Sequence, residues 1–175
     1  MSQPTARACV DLLQTSFIVY LPPPWHTNTG KLLVKSPNLY FYDVCLACWL
    51  LGLRTASQVS RDLLWGSLFE NFIFMEAMKD RLNAGESAKM YFYRDSEGNE
   101  VDLLLPAGGK LHAIDIKAGA TVNPDHFKGL KTFAAHQPKA STSASASGNV
   151  VYGGLQSQHC SDWPIYSWQI LLCKA

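Results

Sequence analysis

Two carboxylates and one amine are spaced in a way that chemistry can use: Asp102, Asp115 and Lys117, within RDSEGNEVDLLLPAGGKLHAIDIK, residues 94–117. Asp102 lies in Glu100-Val-Asp-Leu-Leu-Leu105, the other two in Leu111-His-Ala-Ile-Asp-Ile-Lys117. Both stretches read as strands, joined by a Gly-containing turn at Pro106–Lys110. Side chains alternate faces along a strand. Asp102 is therefore expected to point with Glu100 and Leu104, away from Val101 and Leu103. Asp115 should share a face with Lys117, opposite Ile114 and Ile116. A hairpin then gathers two carboxylates and an ammonium into one cluster. Carboxylates that close repel, and one is pushed toward protonation unless a cation sits between them. Mg²⁺ suits the place, being a hard ion usually held by one or two carboxylates with water and substrate phosphate. A neighbouring Lys can orient or deprotonate a water, or neutralise a phosphate. The competing reading is a strand face of solvated charges, since D-x-K triplets arise by chance.

The elements around the hairpin must position it. A helix is predicted over Gly66–Leu82, with Leu68, Phe72, Met75 and Met78 or Leu82 at three- and four-residue intervals forming a buried stripe. Glu70 sits near that stripe, where a carboxylate needs Arg, Lys or a metal as partner. Lys89–Arg94 reads as a strand and SEGN (96–99) as a turn, so Arg94 faces either a phosphate or Glu97. After the hairpin, Ala118–Thr121 closes the second strand. Asn123 caps a helix over 124–136 with Pro124 in its first turn and Phe127, Leu130, Phe133 and Ala134 inside. Lys128 and Lys131 lie on another side, available to phosphates or to solvent. His126 and His136 read as surface residues. KASTSASASG (139–148) is low-complexity and reads as a flexible loop. Val150–Tyr152 is a buried strand, GLQSQHCSDWP is irregular, and Tyr166–Cys173 forms a strand or short helix.

Toward the start, 5–15 reads as a helix capped by Thr5, and SFIVYL (16–21) as a strand stopped by Pro22–Pro24. Asn38–Asp43 is an aromatic strand. Asp43 then caps VCLACWLLG, which Gly52 ends and whose face Val44, Cys48 and Leu51 reads as core; a role for Asp43 at a site is the alternative. The order strand, helix, helix, three strands, helix, strand makes an α/β layer with a mixed sheet.

Composition bounds the function. The chain has 175 residues, 47% hydrophobic and 17% charged, enough for one globular domain with a sizeable core rather than a disordered segment. A net charge of +1 neither demands nor forbids nucleic acid. No apolar run approaches the roughly 18 residues that span a bilayer, and MSQPTARACVDLL has no signal-peptide pattern, so no membrane partner is expected. Cys9, Cys45, Cys48, Cys160 and Cys173 are odd in number, which points to free thiols in a reducing cytoplasm. Cys45 and Cys48 read as helical core beside Leu46, Trp49 and Leu50, not as a zinc or redox pair. Gly30-Lys31 fails as a phosphate loop, because Trp25 and Leu32 stand where Gly and Ser or Thr are needed. The chain is not read as an ATPase by itself.

Six ordered segments, KSPNLYFYD (35–43), GSLFENFI (66–73), YFYRDSEGNEVDLLL (91–105), AIDIKAGAT (113–121), FKGLKTF (127–133) and VVYGG (150–154), resemble the DUF4143 domain, the C-terminal part of a family of prokaryotic AAA-type ATPases. D-(about 12 residues)-D-x-K on adjacent strands also resembles the PD-(D/E)xK nuclease superfamily. The resemblance implies a restriction-endonuclease-like αβββαβ core over 35–175, a mixed central sheet flanked by helices. It implies that 1–34 is the remnant of a winged-helix-like module and that the chain starts mid-module without its ATPase. It further implies Glu70, Asp102 and Asp115 as ligands of Mg²⁺ or Mn²⁺ and Lys117 as the residue positioning the attacking water, for phosphodiester hydrolysis, with nucleic acid and an AAA ATPase domain as partners. The family usually carries Glu-x-Lys where this chain has Asp115-Ile-Lys117, one methylene shorter. The alternatives are a catalytically inactive DNA- or protein-binding module of that ATPase, and a decayed remnant. The sequence leaves the oligomeric state open.

Overall fold

The computed structural model of the chain describes residues 2–25, 38–137, 147–160 and 163–171. The Gly30-Lys31 pair and most of the low-complexity stretch after Lys139 lie outside the described residues.

A polar residue ahead of an apolar-periodic run sets the first helix, α1 (Gln3–Thr15). Its cap is Ser2, whose Oγ accepts the Thr5 amide, so the helix starts earlier than a Thr5 cap allows. The two aromatic strands near the start are shorter than their composition suggests: β1 (Val19–Tyr20) and β2 (Tyr40–Phe41) pair antiparallel as a separate two-stranded ladder. The prolines end β1 because they lack the donor a ladder needs. Asp43 caps α2 (Val44–Leu50) by accepting the Cys45 amide at 2.8 Å. The short α3 (Ala56–Val59) follows, and then α4 (Trp65–Asn83), the longest element. In α2 only Ala47 is buried. Cys45, Trp49, Leu50 and Leu51 face outward, which corrects the core reading of that helix: seven residues packed on one side have one inner position.

The strands β3 (Tyr91–Arg94), β4 (Glu100–Ala107), β5 (Lys110–Lys117), β6 (Ser147–Tyr152), β7 (Gln158–Cys160) and β8 (Trp163–Ser167) form one mixed sheet in the order β3-β4-β5-β6-β8-β7. The pairs β5/β6 and β6/β8 are parallel and the others antiparallel. The crossover from β5 to β6 runs through a 3-10 turn, Pro124–Phe127, capped by Asn123, and α5 (Lys128–His136). The β4–β5 turn is tighter than a five-residue connection. Both strands run to its edge, and Gly108 and Gly109 sit at φ +55° and +78°, where a side chain is strained. GLQSQHCSDWP is not wholly irregular, because β7 and the start of β8 lie in it as an edge hairpin. At the opposite edge Pro23–Trp25 runs alongside β3: the Trp25 amide donates to Phe92 O at 2.7 Å and the Phe92 amide to Pro23 O at 3.3 Å.

Both faces of the sheet are covered. On one, α4 lays Phe69, Ile73, Phe74, Met75 and Met78 against Leu103, Ile114, Ile116 and Val151. The buried band is broader than one stripe, and Leu82 is exposed. On the other, Phe127, Leu130 and Phe133 pack on Val101, Leu104, Ala113, Val150 and Ile165. Each wholly buried Leu, Ile or Phe contributes about 2 kcal/mol. Val101 and Leu104 therefore share a face and Leu103 takes the other, which strict alternation forbids. The reason is a register shift in β3/β4: Tyr93 pairs with Val101 but Tyr91 with Leu104, which puts one extra residue in β4. Asp102 sits in that irregularity.

Candidate functional site

The irregularity in β4 coincides with the end of its pairing to β5. The ladder runs from Ala107↔Lys110 to Leu103↔Ile114 and stops. One residue further, the backbone of β4 no longer supplies the acceptor; the Asp102 side chain does, its Oδ2 taking the Ile116 amide at 2.7 Å. The carboxylate is thereby lodged in the gap where the two strands part. Asp115 follows Ile114 on β5 and is 4% exposed. Two residues on, the Lys117 ammonium lies 2.7 Å from Asp115 Oδ1 and 3.7 Å from Asp102 Oδ2. The end of β5 is fixed by the loop after β6, whose Gly153 amide donates to Lys117 O at 2.9 Å and Gly119 O at 3.2 Å.

Glu70 reaches the cluster from α4. Its Oε1 accepts the Tyr40 hydroxyl at 2.5 Å. It joins the others through charge: Asp102 pushes its carboxyl up and Lys117 pulls it down. Burial, then the Asp102 charge, raises Glu70 to about 7. Burial, then Asp102 again, raises Asp115 to about 8. Burial is the largest influence on Lys117 and acts to lower it, but Asp102, Asp115 and Glu70 together hold it above the ordinary lysine value. Three buried or half-buried carboxylates thus share one ammonium, and two of them stand well above the usual carboxylate range.

The structure gathers Glu70, Asp102, Asp115 and Lys117 at one end of the β4–β5 pair. Arg94 does not pair with Glu97; it forks onto Glu100, opposite it in the β3/β4 ladder, with Nε and Nη2 both at 2.8 Å. Asp43 is an exposed cap and takes no part. Lys128 and Lys131 are exposed on α5. His126 is half-buried, and its value is lowered by burial and then by the Lys117 charge. Tyr40 is the participant that residue types and spacing did not single out. A signal for its placement existed in Asn71, an amide in mid-helix among apolar residues, which is buried and must bond to something.

Among the described residues, no group of three or more His, Cys, Asp or Glu side chains stands close enough to hold a metal ion as placed. The donor chemistry nevertheless fits a hard divalent cation. The donors are carboxylate oxygens, their charge exceeds what one ammonium neutralises, and both raised carboxyls would return to ionised form beside a cation.

The known proteins that the chain resembles carry no described activity. A domain described as DUF8612, of unknown function, matches residues 1–57. The uncharacterized protein Mb2031c of Mycobacterium bovis and the uncharacterized protein Rv2008c of Mycobacterium tuberculosis are each 29% identical to the chain over 121 residues, 69% of this chain and 26% of each relative. The chain thus spans about a quarter of the length of these curated relatives. No solved structure matches it. The domain of unknown function DUF4143 matches residues 65–171, more than half of the chain and all of the strands and helices that supply the four clustered residues, and the chain belongs to that family.

Proposed function

We propose that residues 35–175 form a PD-(D/E)xK-type nuclease domain acting on nucleic acid, preceded by a winged-helix-like segment. The observation that carries the reading is the convergence of Glu70, Asp102, Asp115 and Lys117 at the point where β4 and β5 part. In this reading Glu70, Asp102 and Asp115 hold Mg²⁺ or Mn²⁺, which when bound supplies charge neutralisation at a phosphate and acidifies a water. Asp102 stays fixed by the Ile116 amide, so its free oxygen keeps one direction. Lys117 orients the attacking water and offsets charge at the phosphate. The half-buried setting strengthens each of these interactions relative to bulk water. The partner of the domain is an AAA-type ATPase domain, and the setting is the cytoplasm, in keeping with Cys9, Cys45 and Cys48 as free thiols. Among the described residues no helix is long and apolar enough to cross a membrane.

A second reading, an inactive DNA- or protein-binding module, is favoured by one observation: Asp115 already has the Lys117 ammonium as its partner. Incubation of the protein with single- and double-stranded DNA and RNA, with Mg²⁺ or Mn²⁺ or with EDTA, separates the two. Metal-dependent cleavage lost in Lys117→Ala supports the nuclease. Nucleic-acid or protein binding that survives both EDTA and Lys117→Ala, without cleavage, supports the binding module.

A further inference from the structure

Glu70 differs from the other acids in being held by a side chain from outside the matched domain. Tyr40 lies in β2, ahead of residue 65, where the DUF4143 match begins. Its hydroxyl donates to Glu70 Oε1 at 2.5 Å, and the hydroxyl oxygen accepts from Asn38 Nδ2 at 3.4 Å. The ring is 3% exposed and stacks on Phe74 at 4.3 Å between centroids, 15° from parallel. Phe74 is one helical turn beyond Glu70, so one helix face supplies both the platform for the phenol and the carboxylate it bonds. The strand is held by the residue next to Glu70. Asn71 accepts the Phe41 amide through Oδ1 and donates to Phe41 O through Nδ2, both at 2.8 Å. An amide that satisfies both backbone groups of one residue substitutes for a missing neighbouring strand, and β2 needs this because its ladder to β1 is two residues long. Ring stacking, hydroxyl and amide clamp therefore converge on one outcome, a single position for the Glu70 carboxylate.

We propose that Tyr40 is a positioning residue of the acidic site: it orients Glu70 toward Asp102, with Asn71 clamping β2 so that the segment before residue 65 completes the site. The proposal rests on the reading of the cluster as a cation site, and two measurements keep the failure of either apart. Tyr40→Phe preserves the ring and removes only the hydroxyl. Titration of Mn²⁺ by calorimetry into wild type, Tyr40→Phe and Glu70→Gln reads the first. At an unfolding temperature within a few degrees of wild type, Tyr40→Phe is expected to weaken Mn²⁺ binding roughly tenfold, the size of one charge-assisted hydrogen bond. Equal or tighter binding overturns the proposal, because the hydroxyl would then be a bystander or a competitor for Oε1. The second measurement needs no metal. In urea unfolding of Tyr40→Phe, Glu70→Ala (which removes the acceptor that Gln would keep) and the double variant, the double variant is expected to lose no more than the worse single variant. Simple additivity overturns the contact. A coupled cycle with no Mn²⁺ binding in wild type would sink the cation site and leave Tyr40 as a positioning residue of Glu70. Binding that is unaffected by Tyr40→Phe, with an additive cycle, would do the reverse.

Discussion

The Lys117 ammonium rests 2.7 Å from the Asp115 carboxylate, and Asp102 Oδ2 lies 3.7 Å from the same ammonium. One ammonium therefore serves two acids, and its removal has a pH signature. In Lys117→Ala, Asp115 can escape the lost partner by taking a proton, which its raised value makes easy at low pH and impossible at high pH. Deleting one partner of a buried pair costs about 3–5 kcal/mol, less for a lysine that is a third exposed, so a loss of about 1–2 kcal/mol is expected near neutrality. Urea unfolding at pH 5 and pH 9 checks this. The loss should be smaller at the first than at the second; a loss equal at both would contradict the shared-ammonium arrangement.

The wild-type protein should itself become less stable as pH rises. Glu70 and Asp115 hold their protons to about 7 and about 8 in the folded chain, against 4.5 and 3.8 when unperturbed. Over that interval the folded state binds more protons than the unfolded, so stability falls with increasing pH. His126, held below 6.5, acts in the opposite sense under that pH. The falling limb is therefore clearest between pH 6.5 and 8. Thermal unfolding across this range checks the sign, and millimolar Mn²⁺ should flatten the slope if the carboxylates bind it.

Asp102 has two duties that substitution can separate. Asp102→Ala leaves the buried Ile116 amide without an acceptor, for a loss of about 1–3 kcal/mol. Asp102→Asn keeps an acceptor and removes a charge that raises both Glu70 and Asp115, so its loss should be under about 1 kcal/mol. Hydrogen exchange at Ile116 gives the residue-level check: fast in the alanine variant, protected in the asparagine one.

Gly129 brings α5 close against the backbone of β4. A Cβ there would stand 1.8 Å from Glu100 O, a backbone atom that cannot swing aside. Gly129→Ala should push α5 off β4 and cost about 3 kcal/mol. The denaturation midpoint tests this, with Gly119→Ala as a control, since an added Cβ meets nothing there.

Much of this was legible in residue types. The long helix, the acidic hairpin, the Asp43 and Asn123 caps and the helix after Asn123 each follow from local patterns strong enough to survive tertiary context. What escaped depends on contacts between distant segments. The extra residue in β4 is invisible in an apolar run of Val101, Leu103 and Leu104, because any of the three suits either face. The edge strand β7 carries no alternation over its three residues. The outward turn of α2 reflects how little surface α4 and β2 offer it. Tyr40 looked like one aromatic among several, and only the folded chain places its hydroxyl beside an acid 30 residues away.

The side-chain acceptor that closes the β4–β5 ladder also polices alignment. Slipping the hairpin by one residue would bring Val101 or Leu103 to the gap, and neither can accept the Ile116 amide. A slipped hairpin would also turn its buried apolar residues to the wrong face. The register of Asp102 against β5 is in this sense guarded by foldability itself.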